Sequence, residues 1–309
     1  MAIASVPTTP LASENQRGIA LVLVGMAAFA GGDAVVKALG GALPVGQLVA
    51  VRGLFACALV LPFMLRVGVP DWRALLHARV LLRTAFEIGA AVCFLSALVR
   101  IPIASATAII QAIPLAVTFL GAVLLGERVG WRRSTAVLVG FAGVLVIVRP
   151  WSAALEPGAL FALGAVAFST ARDLATRGVP SAIPTVHIVG VTTFGVTLSG
   201  FAWMALGGAA PMGAAEFGLL ALAAVGVLIG VSCVAAAVRI GELAVVTPFR
   251  YSIFLWALLI GWLAFGEVPD ATTFVGAAIV LASGLYTLLR EAHLGRDIAA
   301  RSGKRGVPA

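Results

Sequence analysis

Three pairs of acidic and basic side chains repeat one spacing within apolar stretches of this sequence, and each pair is a candidate for function. The acid and base of each pair are four positions apart: Asp33 with Lys37, Arg83 with Glu87, and Asp173 with Arg177. On a helix this spacing places both side chains on one face, where they can form an ion pair. Charges inside a membrane are costly and usually face the protein interior or water. We therefore expect these residues either to act in proton coupling or gating, or to form local ion pairs.

Arg83 and Glu87 lie at different depths in their apolar stretch, and two interpretations of the pair stay open. Arg83 is close to the start of the stretch, where a long side chain can extend to the membrane surface. Glu87 lies about 10 Å inside the stretch at the rise of a helix. Without a partner, that carboxylate suits proton coupling, whereas with Arg83 as its partner it is structural.

Arg52 and the segment that follows Pro248 are candidates for contact with a substrate. Arg52 lies about 12 Å from the edge of its stretch, which is too deep for the side chain to reach the membrane surface. It either binds a ligand or belongs to a structural ion pair. Pro248 removes a backbone donor from a helix, and Arg250 and Tyr251 follow it directly. A broken helix beside a charge and a hydroxyl is typical of transporter binding sites.

Two further side chains complete the predicted substrate-binding set. Gln111 places an amide three residues before Pro114, and Trp256 lies mid-stretch, where its ring suits stacking on a planar ligand. Arg172 is most simply interpreted as an anchor at the membrane surface. The predicted substrate-binding residues are Arg52, Gln111, Arg250, Tyr251 and Trp256.

The composition places these residues in an integral membrane protein. Of the 309 residues, 61% are hydrophobic and only 11% are charged, whereas about 25% are charged in soluble proteins. The net charge of +8 fits Lys and Arg in cytoplasmic loops, and no basic run interleaved with aromatic residues indicates a nucleic-acid partner. The three cysteines lie in apolar stretches without metal-ligand spacing, so we predict no metal, cofactor or disulfide.

Ten apolar runs are long enough to be transmembrane helices, which predicts an all-α membrane protein. A helix needs about 20 residues to cross the hydrocarbon core, and the loops between the runs are short. The predicted spans are 18–36, 44–65, 80–98, 102–125, 134–148, 157–178, 184–206, 215–237, 243–265 and 272–289.

The two halves of the chain are related by a duplication. A shift of 140 residues aligns Asp33 with Asp173, Lys37 with Arg177, Pro44 with Pro184, and Gly126-Glu127 with Gly266-Glu267. This divides the chain into a tail at 1–17, five-helix repeats at 18–148 and 157–289, and a basic tail at 290–309. Because five is odd, the second repeat enters the membrane with opposite polarity. Inverted repeats of this kind are characteristic of secondary transporters.

The distribution of Lys and Arg predicts the orientation of the chain. With both termini in the cytoplasm, most basic residues outside the spans are cytoplasmic, and the other side carries only Lys37, Arg100 and Arg149. This agrees with the positive-inside rule. The pairs that end spans 1 and 6 then lie at opposite faces, where they suit matching gates.

The combination of ten spans, a five-plus-five duplication and a Gly-Glu turn after spans 4 and 9 resembles the drug/metabolite transporter superfamily, EamA type. The resemblance covers about residues 15–290. The stretches Asn15–Lys37 and Ala171–Pro184 are most similar to bacterial members linked to uptake of riboflavin or S-adenosylmethionine, and other members export amino acids. The resemblance implies that spans 1–4 and 6–9 line a central cavity and that spans 5 and 10 are peripheral.

The sequence thus predicts a secondary transporter of the bacterial inner membrane that moves a small organic metabolite by alternating access. Riboflavin uptake is the most specific hypothesis. The alternatives are S-adenosylmethionine uptake, export of an amino acid or other metabolite, and, in another class, a channel or a non-transport membrane subunit. No catalytic motif is present, so an enzyme is not expected. The expected partners are the substrate and the lipid bilayer, with the chain as a monomer or homodimer.

Overall fold

A computed structural model describes residues 12–68, 72–125, 130–151 and 156–305, without the side chains at positions 12, 72, 74, 125, 243, 244 and 291–305. Within these residues, ten helical segments are long and apolar enough to cross a membrane. This confirms the predicted all-α membrane fold. The predicted Gly-Glu turn at 126–127 lies outside the described residues.

We number the ten membrane-crossing segments as spans 1 to 10. Spans 1 to 5 are Ala12–Leu39, Val45–Val67, Ala78–Leu98, Ile103–Ile110 continued by Ile113–Leu125, and Trp131–Val148. Spans 6 to 8 are Pro157–Thr176, Thr185–Gly207 and Ala214–Ile240. Span 9 is Leu243–Val246, Thr247–Tyr251 and Ser252–Phe265, and span 10 is Ala271–Arg305. A four-residue helix, Trp72–Leu75, lies between spans 2 and 3.

Both ends of the described chain lie at one face of the bundle, because ten crossings return the chain to the side on which it begins. We call this the terminal face and the opposite one the far face. The helix of span 1 begins at Ala12, inside the predicted tail 1–17, and the helix of span 10 continues through the predicted basic tail to Arg305. Helical structure therefore extends beyond both predicted repeat boundaries.

The packing of the spans follows the symmetry expected of an inverted repeat. The most extensive contacts join span 1 to span 8, span 3 to span 6, span 2 to span 7, and span 5 to span 10, and span 4 also packs on span 9. Exchanging the two halves turns the contact between spans 1 and 8 into the contact between spans 6 and 3. The other three contacts are each unchanged by the exchange. Every one of these pairs joins the two halves.

Spans 4 and 9 are interrupted at equivalent places. The first helix of span 4 ends at Ile110 with Gln111 as its cap, and the helix resumes at Ile113. In span 9 a 3₁₀ segment that contains Pro248 ends at Tyr251. Position 111 corresponds to position 251 at the repeat offset of 140 residues, so both interruptions end at symmetry-related residues.

Spans 5 and 10 approach each other closely through glycine. A Cβ atom on Gly143 would lie 2.9 Å from the carbonyl oxygen of Gly276, and one on Gly276 would lie 2.7 Å from that of Gly143. Any larger residue at either position would therefore push the two helices apart. Small residues are a common means of close helix packing in membranes.

An ion pair between Arg149 and Asp270 also joins these two spans at the far face. Asp270 accepts a hydrogen bond from the backbone N–H of Thr273 at 2.9 Å, which caps the start of span 10. The hydrogen bond from the Arg149 guanidinium holds the pKa of the Asp270 carboxyl well below its ordinary value, and Thr273 acts in the same direction.

Replacing Asp270 with Asn is expected to lower the melting temperature at pH 7 by about 2 °C or less, because the ion pair is exposed. A lowered pKa in the folded state stabilises the fold above the ordinary carboxyl pKa of about 4. The difference between the wild type and Asp270→Asn should therefore hold from pH 7 to pH 5 and shrink below about pH 4. Thermal unfolding in detergent between pH 7 and pH 3 measures this difference in melting temperature. A difference that grew on acidification would contradict a lowered pKa of Asp270.

Candidate functional site

A central cavity of about 280 Å³ lies among spans 2, 3, 6, 7 and 8. Most of its wall is apolar, but charged and hydroxyl-bearing side chains from four of these spans also reach it. The polar lining residues are Arg52, Arg83, Glu87, Arg172, Thr192 and Thr193. The cavity therefore brings together charges that are far apart in the sequence, and it is the candidate site.

Arg172 is held by two carboxylates beside the cavity. Its Nη1 atom lies 2.8 Å from Oε2 of Glu87 on span 3, and its Nη2 atom lies 2.8 Å from Oδ1 of Asp173. Neither interpretation of Glu87 is met in full: its carboxylate has an ion-pair partner, but that partner is Arg172, because span 6 packs on span 3 and brings Arg172 within reach. The charges of Glu87 and Arg83 still interact, without a direct ion pair. The interpretation of Arg172 as a surface anchor is wrong, since its guanidinium turns inward to these carboxylates.

Arg83 is directed across the bundle by two hydroxyl groups. Its Nε atom donates to Oγ1 of Thr176 on span 6 at 3.0 Å, and its Nη1 atom donates to Oγ1 of Thr192 on span 7 at 2.5 Å. The side chain therefore connects the first repeat to two spans of the second. The simpler prediction that Arg83 extends to the membrane surface does not agree with these contacts.

Arg52 faces the cavity from span 2, and its charge interacts with that of Asp33 on span 1. Among the described residues, no ion pair within 4 Å and no hydrogen bond involves the Arg52 side chain. Its guanidinium is therefore balanced at longer range by Asp33, while its donors stay available to the cavity.

Lys37 forms a buried ion pair with Glu267 at the far face, at 2.9 Å between Nζ and Oε1. Lys37 also donates to the carbonyl oxygens of Leu98 and Ile101 at 3.2 and 2.6 Å, and Glu267 accepts from the backbone N–H of Ile103 at 3.0 Å. The side chains are only 11% and 22% exposed. The predicted local pair of Lys37 with Asp33 is therefore wrong, because the end of span 9 brings a stronger partner.

A second polar contact joins the halves at the far face. Gln47, at the start of span 2, donates to the carbonyl oxygen of Ala210 and accepts from its backbone N–H, both at 2.9 Å. Nearby, the rings of Phe55 and Phe217 pack edge to face with centroids 5.9 Å apart. Together with the Lys37–Glu267 pair, these contacts hold the two halves against each other at the far face.

On its other side the central cavity continues into an apolar pocket of about 650 Å³ between spans 2, 7 and 8, which we call the vestibule. The residues common to the cavity and the vestibule are Ala56, Val189, Thr193, Ala224 and Val227. The vestibule reaches Phe63, Thr185 and Arg239, which lie at the terminal-face ends of these spans. The vestibule therefore leads from the cavity toward the terminal face, whereas at the far face polar contacts join the two halves.

Four of the predicted substrate-binding residues do not line the central cavity. Tyr251 packs against Gly284 of span 10, and Trp256 packs in an apolar cluster with Val22 and Met26 of span 1. Arg250 is exposed and Gln111 is half-buried at the break of span 4. Spans 4 and 9 pack on each other and lie outside the five spans that form the cavity, so only Arg52 of the predicted set reaches it.

The two predicted terminal pairs have different surroundings. The charge of Asp33, near the far end of span 1, interacts with that of Arg52, and Asp173 accepts a hydrogen bond from Arg172, so both acids interact with arginines of the cavity. Arg177 caps the end of span 6 through its backbone N–H. Spacing therefore identified acidic residues near the cavity, but Lys37 and Glu87 form ion pairs with other partners than their neighbours four positions away.

Sequence reasoning missed several contributors to the site. Thr176 and Thr192 carry no pattern that distinguishes them from other threonines in the spans. Glu267 was detectable, because its Gly-Glu dipeptide is repeated at 126–127. No group of three or more His, Cys, Asp or Glu side chains within the described part of the chain could hold a metal ion.

The family model for EamA-like transporters matches residues 16–149 and 156–289, one copy in each half. The chain belongs to the EamA-like transporter family. Each copy contains five of the membrane-crossing segments, which confirms the five-plus-five all-α fold. The implied lining of the cavity by spans 1–4 and 6–9 is not met in full, because only spans 2, 3, 6, 7 and 8 line the cavity. The EamA-like chain is therefore a membrane transporter.

Several curated relatives of this EamA-like transporter are similar along most of its length. A riboflavin transporter of Rhizobium johnstonii is 28% identical and covers 77% of this chain and 78% of its own. A pseudopaline exporter of Pseudomonas aeruginosa is 27% identical over 85% and 93% of the two chains. An S-adenosylmethionine uptake transporter of Rickettsia felis is 25% identical over 89% and 93%.

Proposed function

We propose that this EamA-like transporter is a secondary carrier that takes up a small, uncharged metabolite by alternating access, with riboflavin as the most specific candidate. The observation that carries the proposal is a charged cavity between the two repeats, with a vestibule that leads toward one face and polar contacts that join the halves at the other. A carrier needs such a site, and an inverted repeat provides a means to expose it alternately.

The contacts at the far face support a gating role for the Lys37–Glu267 pair. Lys37 belongs to the first repeat and Glu267 to the second, so the pair has to separate if the halves move apart. Asp33, Arg83, Glu87 and Asp173 surround the cavity and are the candidates for coupling substrate binding to that movement. Arg177, at the end of span 6, is the predicted gate on the terminal side.

The charge balance of the cavity favours a neutral ligand. The arginines Arg52, Arg83 and Arg172 are matched by the carboxylates Asp33, Glu87 and Asp173. A ligand with a net charge would upset this balance in a medium where unpaired charges are costly. Riboflavin is uncharged and rich in carbonyl and ring-nitrogen acceptors, whereas the sulfonium of S-adenosylmethionine would face three guanidinium groups.

We propose that the terminal face is cytoplasmic and that the protein lies in the bacterial inner membrane. Arg239 at the mouth of the vestibule and Arg290, where the apolar part of span 10 ends, both lie on that face. The positive-inside rule then orients both termini toward the cytoplasm. In this orientation, the described conformation presents its cavity to the cell interior.

Uptake of riboflavin by purified protein in liposomes tests the proposal. We expect uptake that saturates with substrate concentration and accelerates when the vesicles are preloaded with unlabelled riboflavin, as exchange by a carrier requires. Flux that stayed linear with concentration would indicate a channel instead. Transport of S-adenosylmethionine or an amino acid without riboflavin would overturn the substrate assignment.

A further inference from the structure

The charged groups of the central cavity differ in how much hydrogen-bonding capacity they have left. Arg172 uses Nε, Nη1 and Nη2 on Glu87 and Asp173. Arg83 uses Nε and Nη1 on threonine hydroxyls, which leaves Nη2. Within the described residues, Arg52 uses none of its donors, and Oε1 of Glu87 has no hydrogen-bond partner. The charged residues of the cavity therefore leave two donor groups and one acceptor atom for a ligand: the Arg52 guanidinium, Nη2 of Arg83 and Oε1 of Glu87.

Arg83, Glu87 and Arg52 lie at successive depths in the membrane-crossing bundle. Measured along the helices from the terminal face, Arg83 lies about 8 Å deep, Glu87 about 14 Å and Arg52 about 22 Å. Arg83 and Glu87 are one helical turn apart on span 3, and Arg52 faces the same cavity from span 2. The Cα atom of Glu87 therefore lies between those of Arg83 and Arg52 in depth, and all three side chains line the same cavity.

A donor–acceptor–donor row has a specific chemical complement. We infer that the cavity recognises a cyclic imide edge, in which two carbonyl oxygens flank one N–H, as in a flavin or a uracil ring. The guanidinium groups of Arg52 and Arg83 donate to the two oxygens, and Oε1 of Glu87 accepts the N–H. This inference rests on the proposed function, because it names the part of the substrate that the same cavity binds.

Other ligand classes fit the row less well. A carboxylate or phosphate would satisfy the arginines but would place negative charge against Glu87, with no hydrogen to donate. An amine or sulfonium would satisfy Glu87 but would be repelled by the guanidinium groups on both sides. A neutral imide satisfies all three groups without changing the charge balance, which matters where unsatisfied polar groups are costly.

The vestibule suits the remainder of such a molecule. Its walls between spans 2, 7 and 8 are formed mainly by Ala, Val, Leu and Phe side chains. An imide ring fused to an apolar aromatic system could thus place its polar edge in the cavity and its apolar edge toward the terminal face. The cavity and vestibule together select for this division of polarity along one flat molecule.

Methylation of the imide nitrogen tests the inference with a matched pair of ligands. Riboflavin and 3-methylriboflavin differ only at the N–H assigned to Glu87. We expect the methyl analogue to bind the wild-type protein at least about 10-fold more weakly, as is typical for loss of a hydrogen bond to a charged group. Competition with riboflavin uptake in proteoliposomes measures the ratio of the two affinities. Thermal stabilisation of the protein in detergent measures the same ratio without depending on transport.

Two variants test whether Glu87 causes the loss of affinity on methylation of the imide nitrogen. In Glu87→Gln, riboflavin should bind less than about threefold more tightly than 3-methylriboflavin. The reason is that the glutamine amide is uncharged and can turn its NH₂ group toward the ligand. Glu156→Gln, at the exposed start of span 6 outside the central cavity, should keep the wild-type ratio. If Glu87→Gln does not fold, the wild-type comparison alone decides.

The outcomes separate this inference from the proposed function. Saturable uptake of riboflavin with equal binding of 3-methylriboflavin would leave the carrier assignment intact and overturn the inference. Without riboflavin uptake, uridine and 3-methyluridine serve as the probes. Thermal stabilisation by uridine but not by 3-methyluridine would support imide recognition and reject the flavin assignment. If neither riboflavin nor uridine stabilised the protein, the inference would be overturned.

Discussion

Replacing Lys37 with Met is expected to slow transport at least about 100-fold, because the far face loses the ion pair that holds it closed. Removing one partner of a buried ion pair costs about 3–5 kcal/mol, and a change of that size shifts a two-state equilibrium by more than 100-fold. Glu267 would be left partly buried without its cation, so the closed conformation would be disfavoured. Initial rates of substrate uptake in proteoliposomes measure the loss.

Cysteine labelling measures the opening itself. In a background without Cys57, Cys93 and Cys233, a cysteine in place of buried Ala104, next to the backbone contact of Glu267, should react slowly with a membrane-impermeant maleimide on the far side. Lys37→Met should accelerate the reaction at least about 10-fold. A cysteine in place of Gly41, which is exposed with open space around it, should react equally in both backgrounds. Unchanged labelling of both cysteines would mean that the pair does not hold the far face closed.

Exchange of the two charges should not restore transport. In Lys37→Glu combined with Glu267→Lys, a carboxylate would face the carbonyl oxygens of Leu98 and Ile101, which now accept from Lys37. The new lysine would face the N–H of Ile103, which needs an acceptor. Restoration by the exchange would show that charge attraction alone closes the far face.

Replacing Arg52 with Gln is expected to raise the KM for the substrate at least about 100-fold. Two N–H groups of the Arg52 guanidinium can both donate to the ligand oxygen assigned to it, and hydrogen bonds from a charged group contribute about 1.5–3 kcal/mol each. The described residues leave all the Arg52 donors to a ligand. Arg132→Gln is the matched control, since that arginine is exposed at the start of span 5, stacks on Trp131 and lines neither the central cavity nor the vestibule. Concentration-dependent uptake gives KM for both variants.

A double variant distinguishes substrate contact from charge balance. Arg52→Gln leaves Asp33 without the cation with which its charge interacts, so the single variant also loses stability. In Asp33→Asn combined with Arg52→Gln, the missing charge is balanced and the melting temperature should recover. Transport should stay defective if Arg52 contacts the ligand, whereas recovery of transport together with stability would reduce Arg52 to a structural partner of Asp33.

The fold could be predicted from the sequence because its determinants are repetitive and local. The lengths of the apolar runs set the number of spans, and residues such as Asp33 and Asp173 at one offset indicated the duplication. An odd number of spans per repeat then required opposite polarity in the two halves. None of these steps needs knowledge of which helix packs against which.

The partners of the charged residues could not be predicted in the same way. A spacing of four makes a local pair available, but Lys37 and Glu87 instead bind partners 230 and 85 positions away. A buried partner with additional backbone hydrogen bonds is stronger than one on the same helix face. Gln111 and Trp256 were misplaced for a related reason, since a break or a mid-span position does not indicate which side of a helix faces the cavity.

The pairing of spans across the two halves has a consequence for biosynthesis. Span 1 packs chiefly on span 8, about 200 residues later in the chain, and at 5–20 residues per second a ribosome needs about 10–40 s to cover that distance. During this interval the spans of the first repeat contact lipid instead of the spans of the second repeat. Lys37 also lacks its ion-pair partner, because Glu267 has not yet been synthesised. Maturation of the protein is therefore a late event, completed only when the last third of the polypeptide has entered the bilayer.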